Sequence, residues 1–164
     1  MTDNTGADVL DLRELFAVPW EGEATLWRPL WTRWIPAPRT FRFRSEITNL
    51  ARDSWDVVDT TTYPNGRIEQ RRMRAHQVSP TQISLEADDM PDGAQTHVRP
   101  DGFDFEPYRL RTKVVGPVRI PIRFRDQVRL TDDGQTLVDS LEMRFLGILV
   151  GRVTMRLKRT SEAG

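Results

Sequence analysis

A chain of 164 residues has the length of one domain and can bury a core without covalent staples. It has no cysteine, which excludes a disulfide framework and a thiolate metal site, and its Lys+Arg and Asp+Glu totals are equal at 24, so no net field favours nucleic acid. No run approaches the roughly 18 apolar residues of a spanning helix, and the acidic stretch Met1–Leu15 lacks an apolar core of signal-peptide length, so a cytoplasmic protein is expected.

One domain over residues 1–164 is expected, with residues 1–7 disordered. Apolar residues at Val9, Leu10, Leu12, Leu15 and Phe16 have the spacing of a short amphipathic helix over Asp8–Phe16, bounded by Pro19. Nearly everything after it reads as strand and turn. Strands are expected over Gly22–Trp27, Thr40–Leu50 and Trp55–Tyr63, the last ending at Pro64-Asn65-Gly66, where Asn-Gly tolerates positive φ. Arg67–Val78 is the return strand, followed by Thr81–Asp88, Ala94–Arg99 and a long Phe103–Val115. That last run changes parity at Pro107, where a bulge would re-aim the side chains. After Gly116-Pro117 come Val118–Leu130, the turn Asp132-Asp133-Gly134, Leu137–Phe145 and Arg152–Arg159.

The stretch Val118–Leu130 alternates most cleanly. Val118, Ile120, Ile122, Phe124, Val128 and Leu130 share one face, and Arg119, Arg123, Arg125 and Arg129 share the other. A single carboxylate, Asp126, interrupts the apolar face. About ten strands with short turns and no interposed helices predict an antiparallel meander, all-β, closed as an up-and-down barrel around a ligand cavity.

Between the first two strands, Trp27-Arg28-Pro29-Leu30-Trp31-Thr32-Arg33-Trp34-Ile35-Pro36 holds three of the five Trp. One helical turn would put Leu30, Trp31, Trp34 and Ile35 on one side. Three readings stay open: a plug in one end of the barrel, a lid over its mouth, and, less favoured, a membrane-surface contact.

Arg125-Asp126-Gln127-Val128-Arg129-Leu130-Thr131-Asp132-Asp133-Gly134, followed by Leu141-Glu142-Met143-Arg144-Phe145-Leu146-Gly147-Ile148-Leu149-Val150-Gly151-Arg152-Val153-Thr154, resembles the end of an uncharacterised bacterial family. Many of its members look like lipoproteins or exported proteins, and its assigned architecture is similar to the lipocalin (calycin) barrel. The resemblance covers about a quarter of the chain and implies a barrel but no function. This chain departs from it in Leu146, placed between Phe145 and Gly147, and in having no cysteine to lipidate.

His76 and His97 form no metal-ligand spacing, so neither a metal nor a cofactor is expected. Candidate chemistry therefore rests on polar residues of apolar strand faces. Asp126 with Tyr63 or Tyr108 forms the candidate acid–base set, and Arg71, Arg109 or Arg144 is the cation that could neutralise Asp126 instead. Trp31, Trp34, Trp55, Ser45, Thr61, Arg71, Phe124 and Met143 are candidate ligand contacts; Asp59, Thr112 and Asp139 are further polar residues on apolar faces. Three functions fit: a binding module for a small, largely apolar molecule, a cyclase, isomerase or hydratase on the same scaffold, and a packed barrel that works through a protein partner. A monomer or homodimer serves each.

Overall fold

The computed structural model describes residues 9–160; the disorder expected for residues 1–7 lies outside them. Eleven strands form one sheet: β1 (Trp20–Trp27), β2 (Thr40–Thr48), β3 (Ser54–Thr62), β4 (Ile68–Ser79), β5 (Gln82–Glu86), β6 (Ala94–Arg99), β7 (Gly102–Phe105), β8 (Tyr108–Val115), β9 (Val118–Leu130), β10 (Thr136–Phe145) and β11 (Ile148–Arg159). Every pairing is antiparallel. β9 pairs with β10 and β11 with β1, so ten strands close a barrel in which only β8 is extra.

The long strand expected over Phe103–Val115 is two strands. Pro107 has no amide hydrogen for a ladder, and the chain breaks at Glu106-Pro107. β7 pairs with the far half of β9 through Gly102–Asp104, and β8 takes over the same edge of β9 from Tyr108 to Val115.

The turns at residues 49–53, 79–81, 99–102 and 131–135 share one end of the barrel, here called the base. Residues 28–39, 63–67, 87–93, 115–117 and 146–147 share the other, the mouth. A short helix, α1 (Leu12–Leu15), closes the base. It is shorter than the sequence suggests: one turn, capped by Asp11, whose Oδ1 accepts from the amide of Arg13 at 2.9 Å. A helix of one turn is held by tertiary contacts, not by propensity. Leu15 is buried, Phe16 packs on Trp20 and Phe103, and Leu10 and Leu12 touch both core clusters.

The plug of this barrel is therefore α1 and not the tryptophan segment. That segment makes only a 3-10 turn over Leu30–Thr32, and Leu30, Trp31 and Trp34 stand in solvent.

Alternation in β9 follows the sequence: Ile122, Phe124, Asp126 and Val128 are buried, and Arg119, Arg123 and Arg125 are exposed. Val118 is the correction. It lies beyond the last residue that β10 covers, at the tip of the β8–β9 hairpin, and is 55 % exposed. Phe124 stacks on Tyr108 with centroids 5.6 Å apart. Phe124→Ala should cost about 3–5 kcal/mol in chemical denaturation, and a loss under about 1 kcal/mol would mean that this ring carries no core packing.

Close approach of strands also limits sequence at Gly22. A methyl group there would overlap the carbonyl oxygen of Arg156 on β11.

Candidate functional site

Register brings the polar residues of the inner face together. Ser45 on β2 stands opposite Asp59 on β3, and Asp59 stands opposite Arg71 on β4. The Ser45 hydroxyl donates to Asp59 Oδ1 at 2.7 Å. Arg71 turns instead to the mouth-side turn after β5, where its Nε and Nη2 donate to Asp89 at 2.8 and 3.0 Å. This two-pronged bond fixes the only inward guanidinium of β4.

Across the barrel, Tyr108 faces Phe124, and Asp126 comes two residues later on the same face. The Tyr108 hydroxyl donates to Asp126 Oδ2 at 3.3 Å. Asp139 on β10 pairs in register with Val128, and Leu141 pairs with Asp126, so the two carboxyls are diagonal neighbours.

Burial pushes Asp126 upward, against the hydrogen bonds from Asp139 and Tyr108 and the charge of Arg71. Asp139 is raised well above the carboxylate range by burial, then by the charge and hydrogen bond of Asp126 and the charge of Asp59. Two carboxyls this close cannot both ionise cheaply, so they share one proton, held mainly by Asp139. Apart from that proton, no donor reaches Oδ1 of either. Burial also raises Asp59 to about 6, opposed by Ser45 and Arg71 and assisted by the charge of Asp126. Tyr108 is raised far above 10 by burial and by Asp126, so it stays a donor.

The interior thus carries acids on both walls and one arginine already committed to Asp89. Among the described residues no three His, Asp or Glu side chains converge tightly enough to hold a metal ion.

Accessibility of the inner face rises toward the mouth. Phe41, Phe43, Asp59, Thr61, Leu110, Ile120 and Met143 point inward yet remain partly accessible, whereas Trp20, Leu137 and Leu157 near the base are sealed. Below the cluster an apolar cavity of about 60 Å3 lies between α1 and Trp55, Val57 and Phe103. A cleft of about 410 Å3 lies in the wall beside Tyr108, between the start of β6 and the break at Pro107.

Of the residues singled out in sequence, Asp126, Tyr108 and Phe124 meet in one buried group. Ser45, Thr61, Arg71 and Met143 also lie on the inner face. Tyr63 does not join Asp126. It lies at the mouth, where its hydroxyl donates to Glu69 at 2.8 Å, the Arg67 guanidinium covers its ring, and burial and Glu69 push it up to about 12. Trp55 is buried near the base beneath Arg13, and Trp31 and Trp34 are outside the barrel. The outer arginines proposed as partners of Asp126 are engaged elsewhere: Arg109 with Asp92, Arg144 with Glu142.

Asp139 and Asp59 are the members that the sequence displayed without assigning to the site. Asp139 shares its parity with Leu137, Leu141 and Met143, which was the available signal. Asp89 gave none, because a carboxylate in a turn looks solvated.

Comparison with solved structures supports the fold. Rv2717c from M. tuberculosis aligns with 94 % of this chain and 100 % of its own at 13 % identity, with a TM-score of 0.61. The siderocalin Ex-FABP aligns with 92 % of this chain and 73 % of its own at 11 % identity, but its TM-score of 0.40 carries no argument. A search of curated proteins finds no match. No helix among the described residues is long and apolar enough to cross a membrane. Residues 38–159 match the family described as "Protein of unknown function (DUF3833)", an uncharacterised family, and with most of its length inside that match this all-β lipocalin-like barrel belongs to it.

Proposed function

We propose that this protein binds a small, largely apolar molecule in the mouth-side half of its barrel, and that the molecule carries a basic or hydrogen-bond-donating group. The observation that supports this reading is the uncompensated acidity of the interior. Asp126 is 6 % exposed and Asp139 8 %, and their closest neutral donor is one tyrosine hydroxyl. A buried anion left in that state is costly, and a ligand amine would supply both charge and donors. The aromatic and aliphatic residues around it would take the apolar body. The barrel would work as a monomer or homodimer in the cytoplasm.

Displacement of Nile red by dodecylamine and by dodecanol tests the reading. The amine should bind more tightly at neutral pH. Asp126→Asn should weaken amine binding by about 1.5–3 kcal/mol, or roughly ten- to a hundredfold, with little change for the alcohol and none in the fold. Equal binding of both probes, or an Asp126→Asn barrel with unaltered affinity, would reject the acidic anchor.

The shared proton of Asp126 and Asp139 favours a second reading, an acid–base enzyme that takes the same kind of molecule. Native mass spectrometry separates the two, since a binder returns its copurified ligand unchanged and an enzyme converts it.

A further inference from the structure

Large apolar side chains are not exposed evenly over this molecule. Of the twelve that stand in solvent among the described residues, nine surround the mouth. Trp27 at the end of β1 and Leu30, Trp31 and Trp34 on the loop after it are 50 to 71 % exposed, and Leu146 and Ile148 lie on the β10–β11 tip at 85 and 59 %. The tip of the β8–β9 hairpin adds Val115 and Val118. These are three separate protrusions around one opening. Exposed apolar groups gathered in this way mark a contact surface.

The same segments are cationic. Residues 28–39 carry three arginines and no acid, and residues 107–125 carry six basic residues and no acid, whereas Arg144 and Arg152 beside the β10–β11 tip are paired with Glu142. The whole chain has a formal net charge of zero, so this is segregation of charge and not a general excess. Acids near the mouth sit at Glu69, at Glu86 and on the turn 87–93, and at Glu106 and Glu142; of these Glu69, Asp89, Asp92 and Glu142 are held by Arg67, Arg71, Arg109 and Arg144, and Glu106 lies against His97.

Leu146 adds a third sign. Its φ is +49°, in the left-handed region that suits Asn or Gly, yet the position holds an exposed leucine. Such a side chain gains nothing in water and would gain on entering an apolar layer.

We propose that the mouth of the barrel docks on the surface of an anionic lipid bilayer, with the loop after β1 and the two hairpin tips entering the headgroup layer. Tryptophan with an apolar body and a polar N–H settles at that depth, and each arginine near an anionic surface adds attraction. A second copy of the chain is the poorer occupant, because two cationic mouths repel when brought together. The proposal stands independently of the acidic anchor, although docking would set the barrel opening against the phase in which an apolar ligand dissolves.

The full chain is mixed with phosphatidylcholine vesicles, with or without phosphatidylglycerol, and floated. It should rise with the anionic vesicles, remain behind with the neutral ones, and show blue-shifted tryptophan emission when bound. Salt on the order of 0.5 M, where screening extends only a few ångströms, should release much of it. The paired change Trp34→Ser and Leu146→Asn should lower partitioning about tenfold or more, since it removes two exposed apolar anchors. Asn tolerates the backbone at 146, so the melting temperature should hold and loss of binding cannot be blamed on unfolding. No flotation with anionic vesicles would overturn the proposal, as would flotation that the paired variant leaves intact. A dimer that the variant dissolves, without vesicle binding, would assign the surface to a second copy instead.

Discussion

Trp20→Ala should remove about 3–5 kcal/mol of stability, a large part of what a domain of this size has in reserve. Trp20 has no accessible surface. Its indole N–H donates to the carbonyl of Leu15 at 2.8 Å, Phe16 meets its ring edge-on, and the Arg159 guanidinium lies 5.2 Å from its centroid. One side chain thus joins the plug helix, the first strand and the last strand. Its truncation leaves a cavity and frees a buried carbonyl at the end of α1. Amide exchange in residues 12–16 should rise more than the global loss alone explains, because the helix is anchored through this ring. A protein that keeps its denaturation midpoint and its α1 protection after Trp20→Ala would contradict the assignment of α1 as the closure of the base.

Asp59→Asn should stabilise the barrel at pH 8 by about 2–3 kcal/mol and change it little near pH 4, in the direction opposite to most core substitutions. Asp59 is raised from 3.8 to about 6 in the folded protein. A carboxyl with a raised folded pKa binds more protons in the native state than in the unfolded state between those two values. Native stability therefore falls as pH rises from about 4 to 6 and stays low above, the loss amounting to about 1.4 kcal/mol for each pH unit crossed. Asp126 and Asp139, both raised, act with the same sign. Outside the barrel interior, Asp56, Asp133 and Glu142 are lowered and act with the opposite sign, losing their contribution as pH falls through their folded values. Asparagine at 59 keeps an acceptor for the Ser45 hydroxyl and removes the charge. Denaturation curves of both proteins across pH 4 to 8 should converge at the acid end. Parallel curves would show that Asp59 is not held in a low-dielectric interior.

The wall of this barrel was legible because its information is local. The parity of β9 fixes which face is buried, a one-residue slip would invert it, and Asn65-Gly66 and Asp133-Gly134 mark their hairpins chemically. Long-range placement was not legible. Tyr63 and Tyr108 have the same residue type and similar strand contexts, and only the register across β8 and β9 sets Tyr108 beside Asp126. Asp139 became part of the site through a diagonal contact that no single-strand pattern encodes. The tryptophan segment misled for a different reason. Apolar residues at helical spacing predict a buried face, and here nothing in the described chain covers that face.

The pairing of β1 with β11 has a consequence for how the chain comes to exist. Trp20 stands opposite Arg159, so the first strand of the sheet finds one of its two partners only in the eleventh. A ribosome therefore releases ten strands before the ring can close, and during that time β1 and the newest strand each present an unpaired edge. Contacts so distant in sequence make closure slow, since loop entropy is lost before the final ladder forms. At the seam itself the outer faces are complementary, Glu21 on β1 standing opposite Lys158 and Glu23 opposite Arg156 on β11, so the waiting edge of β1 is matched in charge to the strand that seals it.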